Sequence, residues 1–418
     1  MTGREFDVIL FGATGYVGSL VAAHLAEAAE PDLRIALAGR SLARLTDVRD
    51  GLEGAAREWD LIEAEAGNAG AMRSLASRTA VVASTVGPYF RYGKDLVRAA
   101  AEEGTHYADL TGEALFVRWT LDHVAARAEE TGARIVHSCG FDSIPSDLGV
   151  FLTAQRAAAD GQGTLEETTL VVRSLKGGLS GGTIDSARQQ ALTLRRDRRL
   201  RRILRDPYSL SPRRRDEPAA PPSDAGPASA LRSLVPAERD PATGHWHGPF
   251  VMAGYNTRIV RLSNTLTEWS YGRGLRYREV TDMGSGRLAA VRAVAMGAGL
   301  GALVGGMAWA PTRALIDRML PKPGEGPSAE QRAVGEFRME ITSTTTTGAR
   351  YRTTVAADLD PGYGGTAVML GQSALALALD AARLPAAAGV LTPATAMGHT
   401  LVDRLGDWNF TIEAERIG

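Results

Sequence analysis

Short apolar runs alternate with longer stretches of helical spacing along the first 140 residues. Residues 6–12, FDVILFG, form a short apolar run rich in branched side chains, which predicts a buried parallel strand. The following residues, YVGSLVAAHLAEAA, repeat apolar positions at helical spacing, and Glu30-Pro31 ends that pattern. The chain therefore opens with a strand that turns directly into a helix.

The same alternation continues as far as residue 140. Apolar runs predict five more strands, at 34–41, 59–67, 80–88, 105–112 and 133–140. The strand at 59–67 is the least distinct of them. Helical patterns lie between the later ones, at 94–104 and 116–132. Strands that alternate with helices predict a doubly wound parallel sheet of the Rossmann type, hence an α/β fold over residues 1–150.

The pattern changes after Phe141 and becomes rich in strands. Further strands are expected at 166–175, 249–264 and 275–283, followed by a hairpin over 336–359 that turns near Gly348. These runs predict a mostly antiparallel sheet with helices, the usual form of a substrate domain beside a dinucleotide domain.

Domain boundaries follow from these changes in pattern. A second α+β domain for substrate and dimer contacts is expected over 151–364, and C-terminal helices over 365–418. Proline and small polar residues dominate 211–229, so a mobile linker is expected across about 206–247.

One stretch, Ala293–Ala310, contains eighteen residues without a charge, the lower limit for a membrane span. Its five glycines weaken that interpretation. A buried helix, a dimer face, a peripheral contact with lipid and the lining of a tunnel for an apolar substrate all remain open.

Composition narrows the class of protein. The 418 residues include 47 basic and 48 acidic side chains, so the charge balance gives no case for nucleic acid. Cys139 is the single cysteine, which excludes an intramolecular disulfide and fits a reducing compartment. With no signal-peptide pattern visible, a cytoplasmic protein is expected, membrane-associated if the uncharged stretch touches lipid.

The turn between the first strand and helix carries the sequence GATGYVG, a GxxGxxG spacing. Gly12 permits a tight turn, and Gly15 lets backbone N–H groups approach a pyrophosphate at the helix N-terminus. Gly18 lets the helix pack closely on the strand. Glycines in this position predict a dinucleotide site.

The end of the second strand indicates which dinucleotide binds. An NAD site places a carboxylate there for the ribose 2′-hydroxyl, whereas this chain has Gly39-Arg40-Ser41. A guanidinium at that position can bind a 2′-phosphate, so NADP(H) is favoured over the alternative of a solvated surface arginine.

Four stretches together resemble the saccharopine dehydrogenase-like oxidoreductases: GATGYVG, STVGPYFRYG (84–93), HYADLTGE (106–113) and CGFDSIPSDLG (139–149). The middle stretch GGTIDSARQQ and the tail over 366–405 are similar to one branch, the trans-acting enoyl reductases. The resemblance implies C-terminal helices that return to the Rossmann domain and a homodimer. It also implies NADP(H)-dependent reduction of a carbon–carbon double bond in an acyl thioester, held on a polyketide synthase that lacks its own enoyl reductase.

The resemblance also implies a set of cofactor-binding residues. The pyrophosphate loop would comprise Gly12, Thr14, Gly15, Tyr16, Val17 and Gly18. The 2′-phosphate would contact Arg40 and Ser41, and the nicotinamide ribose would lie near Thr85, Val86 and Gly87. The last three follow the fourth strand, at the edge where such crevices open.

Candidates for the catalytic groups are Tyr89, Tyr92 and Asp142, as proton donor or as hydrogen-bond donors to the thioester oxygen. The alternative for the tyrosines is packing against the cofactor, and for the aspartate it is helix capping. Two wider polar groups follow the fifth and sixth strands: Tyr107, Asp109 and Glu113, then Asp142, Ser143 and Asp147.

Two other functions stay open. A saccharopine-type amino-acid dehydrogenase would need converging cations, for which Arg173, Arg258 and Arg261 are available. A non-catalytic, lipid-associated scaffold would keep only the NADP(H) site. No metal is expected, because His245 and His247 have no nearby carboxylate or cysteine cluster in the sequence.

Overall fold

The computed structural model describes residues 3–177, 200–218, 237–241, 243–308 and 326–418. Its strands are β1 Phe6–Phe11, β2 Ile35–Gly39, β3 Asp60–Glu63, β4 Thr79–Ser84, β5 His106–Asp109, β6 Arg134–Val136, β7 Leu165–Lys176, β8 Glu238–Arg239, β9 Trp246–Pro249, β10 Arg276–Asp282, β11 Glu336–Thr345, β12 Arg350–Ala357, β13 Gly389–Leu391 and β14 Thr411–Arg416. Its α-helices are α1 Tyr16–Ala28, α2 Leu42–Asp50, α3 Ala69–Arg78, α4 Tyr89–Tyr92, α5 Lys94–Glu103, α6 Ala114–His123, α7 Ala125–Thr131, α8 Ile144–Ala159, α9 Arg201–Arg205, α10 Ala253–Leu266, α11 Arg287–Ala308, α12 Ala329–Ala333, α13 Thr366–Leu379, α14 Pro393–Ala396 and α15 His399–Gly406.

The first sheet is parallel throughout, in the order β13-β6-β5-β4-β1-β2-β3. Its central strands are apolar and buried because helices cover both faces, which separates the core into two apolar clusters. The strand order reverses between β1 and β4. In open α/β sheets the carboxyl ends of the strands at such a switch point form the ligand crevice. The predicted doubly wound α/β fold is confirmed.

The second sheet has the order β14-β12-β11-β7-β10-β9-β8. Only the β7–β10 pair is parallel among these described strands, so the expected mostly antiparallel sheet is confirmed. Its β11–β12 hairpin turns at Gly348, whose φ of 85° favours glycine. Helix α8 leaves the first sheet and packs against β11, β12 and β14.

The predicted strand at 249–264 is wrong, because helix α10 occupies most of it. Tyr255, Asn256, Ile259, Val260 and Ser263 are buried, a spacing of three and four residues that belongs to one helix face. Tyr255, Ile259 and Val260 are residue types that favour strands, but the polar residues Asn256 and Ser263 between and after them are also buried.

The expected linker across 206–247 is partly packed structure. Tyr208, Leu210 and Ser211 are buried, and β8 and β9 form the edge of the second sheet. Residues 219–236 lie outside the described residues. So do 178–199, which include the whole GGTIDSARQQ stretch.

The C-terminal region contacts both sheets. Strand β13 pairs with β6, and β14 pairs with β12. Between them in the chain lie short helices, and before them α13 packs on α1, β4 and β5. The predicted domain boundaries stay a prediction, but the last fifty residues bridge the two sheets.

Among the described helices, none combines the length and apolar character needed to cross a membrane. The uncharged stretch from Ala293 lies on α11, and its described side chains Val294 and Met296 are exposed. The interpretation as a helix buried within this chain is therefore wrong for that part.

Candidate functional site

The glycine loop after β1 has the geometry that its spacing predicts. Gly12 has a φ of 96°, and its N–H donates to the Ala38 carbonyl over 2.8 Å. A Cβ on Gly18 would lie 2.1 Å from the Gly12 oxygen, so only glycine lets α1 start this close to β1. The Thr85 hydroxyl donates to the same Gly12 oxygen over 3.0 Å, which fixes the loop against the end of β4.

The N-terminus of α1 is open to a ligand. Gly15 precedes the helix, no side chain caps it, and the first turn contains no acidic residue. The first-turn N–H groups of Tyr16, Val17 and Gly18 therefore lack intrahelical partners and, with the helix dipole, form an anion site. This open turn fits a pyrophosphate.

A cationic edge follows β2. Arg40 is exposed directly after the strand, and Ser41 caps α2 by accepting from the Arg44 N–H over 3.4 Å. The Arg44 guanidinium donates to the Thr14 carbonyl of the glycine loop over 3.2 Å. Two guanidinium groups thus border the place where the adenosine 2′-phosphate of NADP(H) would lie. Arg44 was missed from the sequence, although its position one turn after Arg40 was a usable signal.

The loop after β4 lies beside the glycine loop. Thr85 N–H donates to the Phe11 carbonyl over 2.9 Å, and a Cβ on Gly12 would lie 2.8 Å from Val86 Cγ2. Gly87 N–H donates to the Thr85 carbonyl over 3.2 Å. Thr85, Val86 and Gly87 are thus near the cofactor crevice, and their contact with the nicotinamide ribose stays a prediction.

Tyr89 is held inside the protein. Its hydroxyl donates to the Ser84 carbonyl over 3.0 Å and accepts from the Leu110 N–H over 3.2 Å. Burial, with Asp109 nearby, raises the pKa of Tyr89 well above its ordinary value. The Glu113 carboxylate accepts from the Tyr89 N–H over 2.7 Å, which anchors α4. This placement favours the packing alternative for Tyr89.

Tyr92 and Asp142 are more accessible. Both are half-buried, Tyr92 at the end of α4 and Asp142 in the loop after β6. Within the described part of the chain, the Tyr92 hydroxyl has no hydrogen-bond partner, and the Arg91 guanidinium lies 4.8 Å from its ring centre. Their catalytic roles stay predictions.

A buried polar cluster connects the β5 and β6 loops to α10. Asp109 accepts from the Ser138 N–H over 3.1 Å, and its other carboxylate oxygen lies 2.8 Å from His137 Nδ1. The Tyr255 hydroxyl donates to the Thr111 carbonyl over 3.0 Å and lies 2.6 Å from Ser138 Oγ. Sequence reasoning missed Tyr255 because its segment was predicted as a strand.

A second buried cluster crosses to the second sheet. Ser143 donates to Asn256 Oδ1 over 3.0 Å, and Asn256 Nδ2 donates to Glu279 Oε2 over 3.1 Å. The Tyr277 hydroxyl donates to the other Glu279 oxygen over 2.8 Å. Burial raises the pKa of Glu279 to about 7. Ser143 therefore takes part in structural bonding between the two sheets.

Asp147 is also buried, in the first turn of α8. It accepts from the Ala394 N–H over 2.8 Å and from the Ser263 hydroxyl, and burial raises its pKa to about 6. Its partners on α10 and α14 show that it connects three elements.

The residues Gly326–Ala333 contact the glycine loop from the second sheet's side. Tyr16 donates to the Pro327 carbonyl, and Arg332 donates to the Tyr16 hydroxyl. The Tyr16 ring also packs edge-on against Tyr363 with centroids 5.0 Å apart. Tyr16 therefore has its side chain in protein contacts, and only its backbone N–H remains for a phosphate.

The three arginines proposed for a polycarboxylate substrate do not converge. Arg173 pairs with Asp282 over 2.6 Å and with Glu340 over 2.8 Å. Arg261 donates to the Pro207 carbonyl over 3.2 Å, and Arg258 donates to backbone oxygens on α10 and α9. Arg258 and Arg261 both bond to the segment 204–209, whereas Arg173 is paired with two carboxylates of the second sheet. In the described residues there is also no group of three His, Cys, Asp or Glu side chains that could hold a metal.

The crevice, the open helix turn and the cationic edge define an NADP-dependent oxidoreductase domain, and comparison with known proteins agrees. Residues 8–136 match the saccharopine dehydrogenase NADP-binding domain family. The chain is 48% identical over 420 residues, 100% of this chain and 99% of the other, to a Mycobacterium tuberculosis protein provisionally named a trans-acting enoyl reductase.

A second relative and one solved structure extend the comparison. The trans-acting enoyl reductase of Mycobacterium ulcerans is 45% identical over 422 residues, which cover 99% of both chains. The saccharopine dehydrogenase (L-Glu forming) of Saccharomyces cerevisiae has the same fold, with a TM-score of 0.52, 12% identity, and coverage of 98% of this chain and 99% of that one. The chain therefore belongs to the trans-acting enoyl reductase family of saccharopine dehydrogenase-like oxidoreductases.

Proposed function

We propose that this protein reduces the carbon–carbon double bond of an enoyl thioester with NADPH, acting in trans on an acyl chain held by a polyketide synthase. The observation that carries this proposal is the full-length identity of 45–48% with proteins named trans-acting enoyl reductases. The substrate class, the synthase and the cytoplasmic location belong to the proposal. A homodimer is the assembly that the family resemblance implies.

The cofactor-binding residues have separable tasks. The N–H groups of Tyr16, Val17 and Gly18 hold the pyrophosphate, and Arg40 with Arg44 holds the 2′-phosphate. NADPH bound there supplies a hydride for the β-carbon of the substrate. Thr85 braces Gly12 and so sets the distance between the loops after β1 and β4.

The substrate requires a proton at its α-carbon and hydrogen-bond donors at its thioester oxygen. Tyr92 is our candidate for one of these tasks, because its hydroxyl is half-buried and lacks an internal partner in the described structure. Asp142 is the second candidate, on the loop after β6. Tyr89 instead supports the site, since both of its hydroxyl hydrogen bonds go to backbone.

The amino-acid dehydrogenase alternative has less support. A substrate with several carboxylates needs cations that converge on one cavity, and Arg173 is already paired with two carboxylates. Arg258 and Arg261 bond to backbone oxygens of neighbouring segments.

The test is turnover of a substrate panel by the full-length protein. We expect NADPH oxidation with enoyl thioesters, both as small-molecule thioesters and on an acyl carrier protein. We expect no NADPH oxidation with imine conjugates formed from an aldehyde and a dicarboxylic amino acid. NADPH binding without oxidation of any enoyl thioester would contradict the proposal and favour the scaffold alternative. Turnover confined to the amino-acid conjugates would favour the dehydrogenase.

Paired tyrosine variants test the assignment within the site. Tyr92→Phe should lower kcat about 100-fold or more while leaving stability within about 0.5 kcal/mol. Tyr89→Phe leaves a buried carbonyl and N–H without their partner, so it should lower the free energy of unfolding by about 1–3 kcal/mol. An unchanged kcat in Tyr92→Phe would remove Tyr92 from the chemistry.

A further inference from the structure

The described part of helix α11 packs on the protein along a stripe of small residues, with Met296 at its margin. Ala289, Ala293 and Gly297 recur every four residues and are buried, and the helix lies against β9. A Cβ on Gly248 of β9 would lie 3.5 Å from Ala293, so the helix backbone approaches the sheet closely. One stripe of α11 is thus fixed to the protein.

The opposite side of α11 exposes large apolar side chains. Leu288 is 73% exposed and Val291 64%. Val294 and Met296 are exposed on the flanks of the helix, where Met296 also contacts β9. Burying such side chains stabilises a contact by about 25 cal/mol per Å² of apolar area removed from water. Isolated exposed apolar residues need no explanation, but a group on one helix face indicates a contact surface.

Arginines flank this apolar face on both sides. At about 100° per residue, Leu288, Val291 and Ala295 point in nearly the same direction. On the same wheel, Arg287 and Arg292 lie about 70° to either side of that direction. Arginine stems can cover apolar surface while the guanidinium remains in a polar layer.

The charged side chains on the described part of α11 have a single sign. From Met283 to Ala302 there is no acidic residue, and the cations are Arg287 and Arg292. Neither Arg287 nor Arg292 has an ion pair with any described residue. The local surface is therefore apolar and cationic, which complements an anionic headgroup layer over an apolar interior.

We infer that the outward face of α11 docks in the plane of an anionic lipid surface. Leu288 and Val291 would enter the boundary between headgroups and acyl chains, and Arg287 and Arg292 would bind headgroup phosphates. The helix cannot be surrounded by lipid, because its stripe of small residues stays on β9. The inference does not depend on the enoyl reductase proposal, although a lipid surface would bring the protein close to acyl substrates.

A second copy of the chain fits this face less well. A two-fold contact through α11 would bring the arginines of both copies together, with no acidic residue on the helix to pair with them. A standard interface also uses about 20–30 residues on each side, and four large apolar side chains are exposed on the described part of this helix.

The experiment is vesicle flotation with the full-length protein. Vesicles of equal parts phosphatidylglycerol and phosphatidylcholine should carry the protein upward, and vesicles of phosphatidylcholine alone should carry much less. The double variant Leu288→Gln, Val291→Gln should reduce the partition coefficient at least tenfold. The double variant Arg287→Gln, Arg292→Gln should reduce it by roughly 30-fold on anionic vesicles, since each cation contributes about fivefold.

The matched control is Val334→Gln with Leu379→Gln, which removes two apolar side chains exposed elsewhere, at 71% and 47%. It should float like the wild type. All variants should keep the wild-type Kd for NADPH, which shows that they are folded. The inference is overturned if the wild type does not float, or if the Arg287→Gln, Arg292→Gln variant floats as well as the wild type. It is also overturned if light scattering shows a dimer that the Leu288 and Val291 changes dissociate, because a second copy would then cover the face.

Discussion

At the scale of single residues, sequence reasoning succeeded where the backbone determines the role. Gly12 and Gly18 could be assigned because a positive φ and a close helix contact admit only glycine. Tyr89 and Tyr92 could not be separated, since they lie one turn apart with similar neighbours in sequence. Only the packing of Ser84 and Leu110 around the Tyr89 hydroxyl distinguishes them, and those contacts depend on the fold.

Arg40 offers a prediction at this scale. Arg40→Asp replaces a cation with an anion beside the 2′-phosphate, so the Kd for NADPH should rise about 100-fold or more, while that for NADH should change less than threefold. Isothermal titration calorimetry measures both. Arg49→Asp, farther along α2, is the control and should leave both values unchanged. Equal losses for the two cofactors would show that Arg40 does not contact the phosphate.

At the scale of elements, the alternating pattern predicted strands β1 to β6 of the first sheet but missed its strand β13. In the second half of the chain it predicted a strand where α10 lies. Ile259 and Val260 are residue types that favour strands. The helical spacing of the buried positions includes the polar residues Asn256 and Ser263, which the sequence alone does not mark as buried. Strand β13 has three residues, too short for any periodic pattern, and it is defined by pairing with β6.

The contact of α13 with α1 leads to a prediction about element packing. A Cβ on Gly371 would lie 2.5 Å from the His24 ring, so Gly371→Ala must separate the two helices. We expect a loss of about 1–3 kcal/mol in the free energy of unfolding, measured by urea denaturation. This loss should appear despite the higher helix propensity of alanine.

The control for that variant is Gly254→Ala, a helical glycine where no atom would lie within 4 Å of the new Cβ. It should be neutral or slightly stabilising. If both variants behaved alike, close packing would not be the reason for glycine at position 371.

At the scale of the whole molecule, the division into a parallel and a mostly antiparallel sheet was predictable, and the joint between them was not. That joint consists of buried polar groups from distant parts of the chain, such as Ser143, Asn256 and Glu279. None of these residues is marked by its local sequence, because a hydrogen bond between residues far apart in the chain leaves no periodic pattern. Asp147, at the start of α8, likewise bonds to α10 and α14.

Glu279 makes this joint sensitive to pH. Burial raises its pKa from an ordinary 4.5 to about 7, so the folded protein binds the proton more tightly than the unfolded chain. Its contribution to stability is therefore greatest below pH 4.5 and decreases as the pH rises to about 7, by roughly 3 kcal/mol in total. Glu279→Gln cannot ionise and should lack this decrease.

The quantity to compare is the difference in unfolding free energy between wild type and variant, because other groups titrate in the same pH range. Burial lowers the pKa of His24 and His106 to about 4, which makes the folded protein more stable as the pH rises from 4 to 6.5 and so opposes the Glu279 effect. Both histidines remain in the variant, so the difference isolates Glu279. Urea unfolding from pH 4.5 to 7.5 should show the variant gaining roughly 3 kcal/mol relative to the wild type. A difference that stays constant with pH would mean that the carboxyl of Glu279 titrates normally and that water reaches the joint.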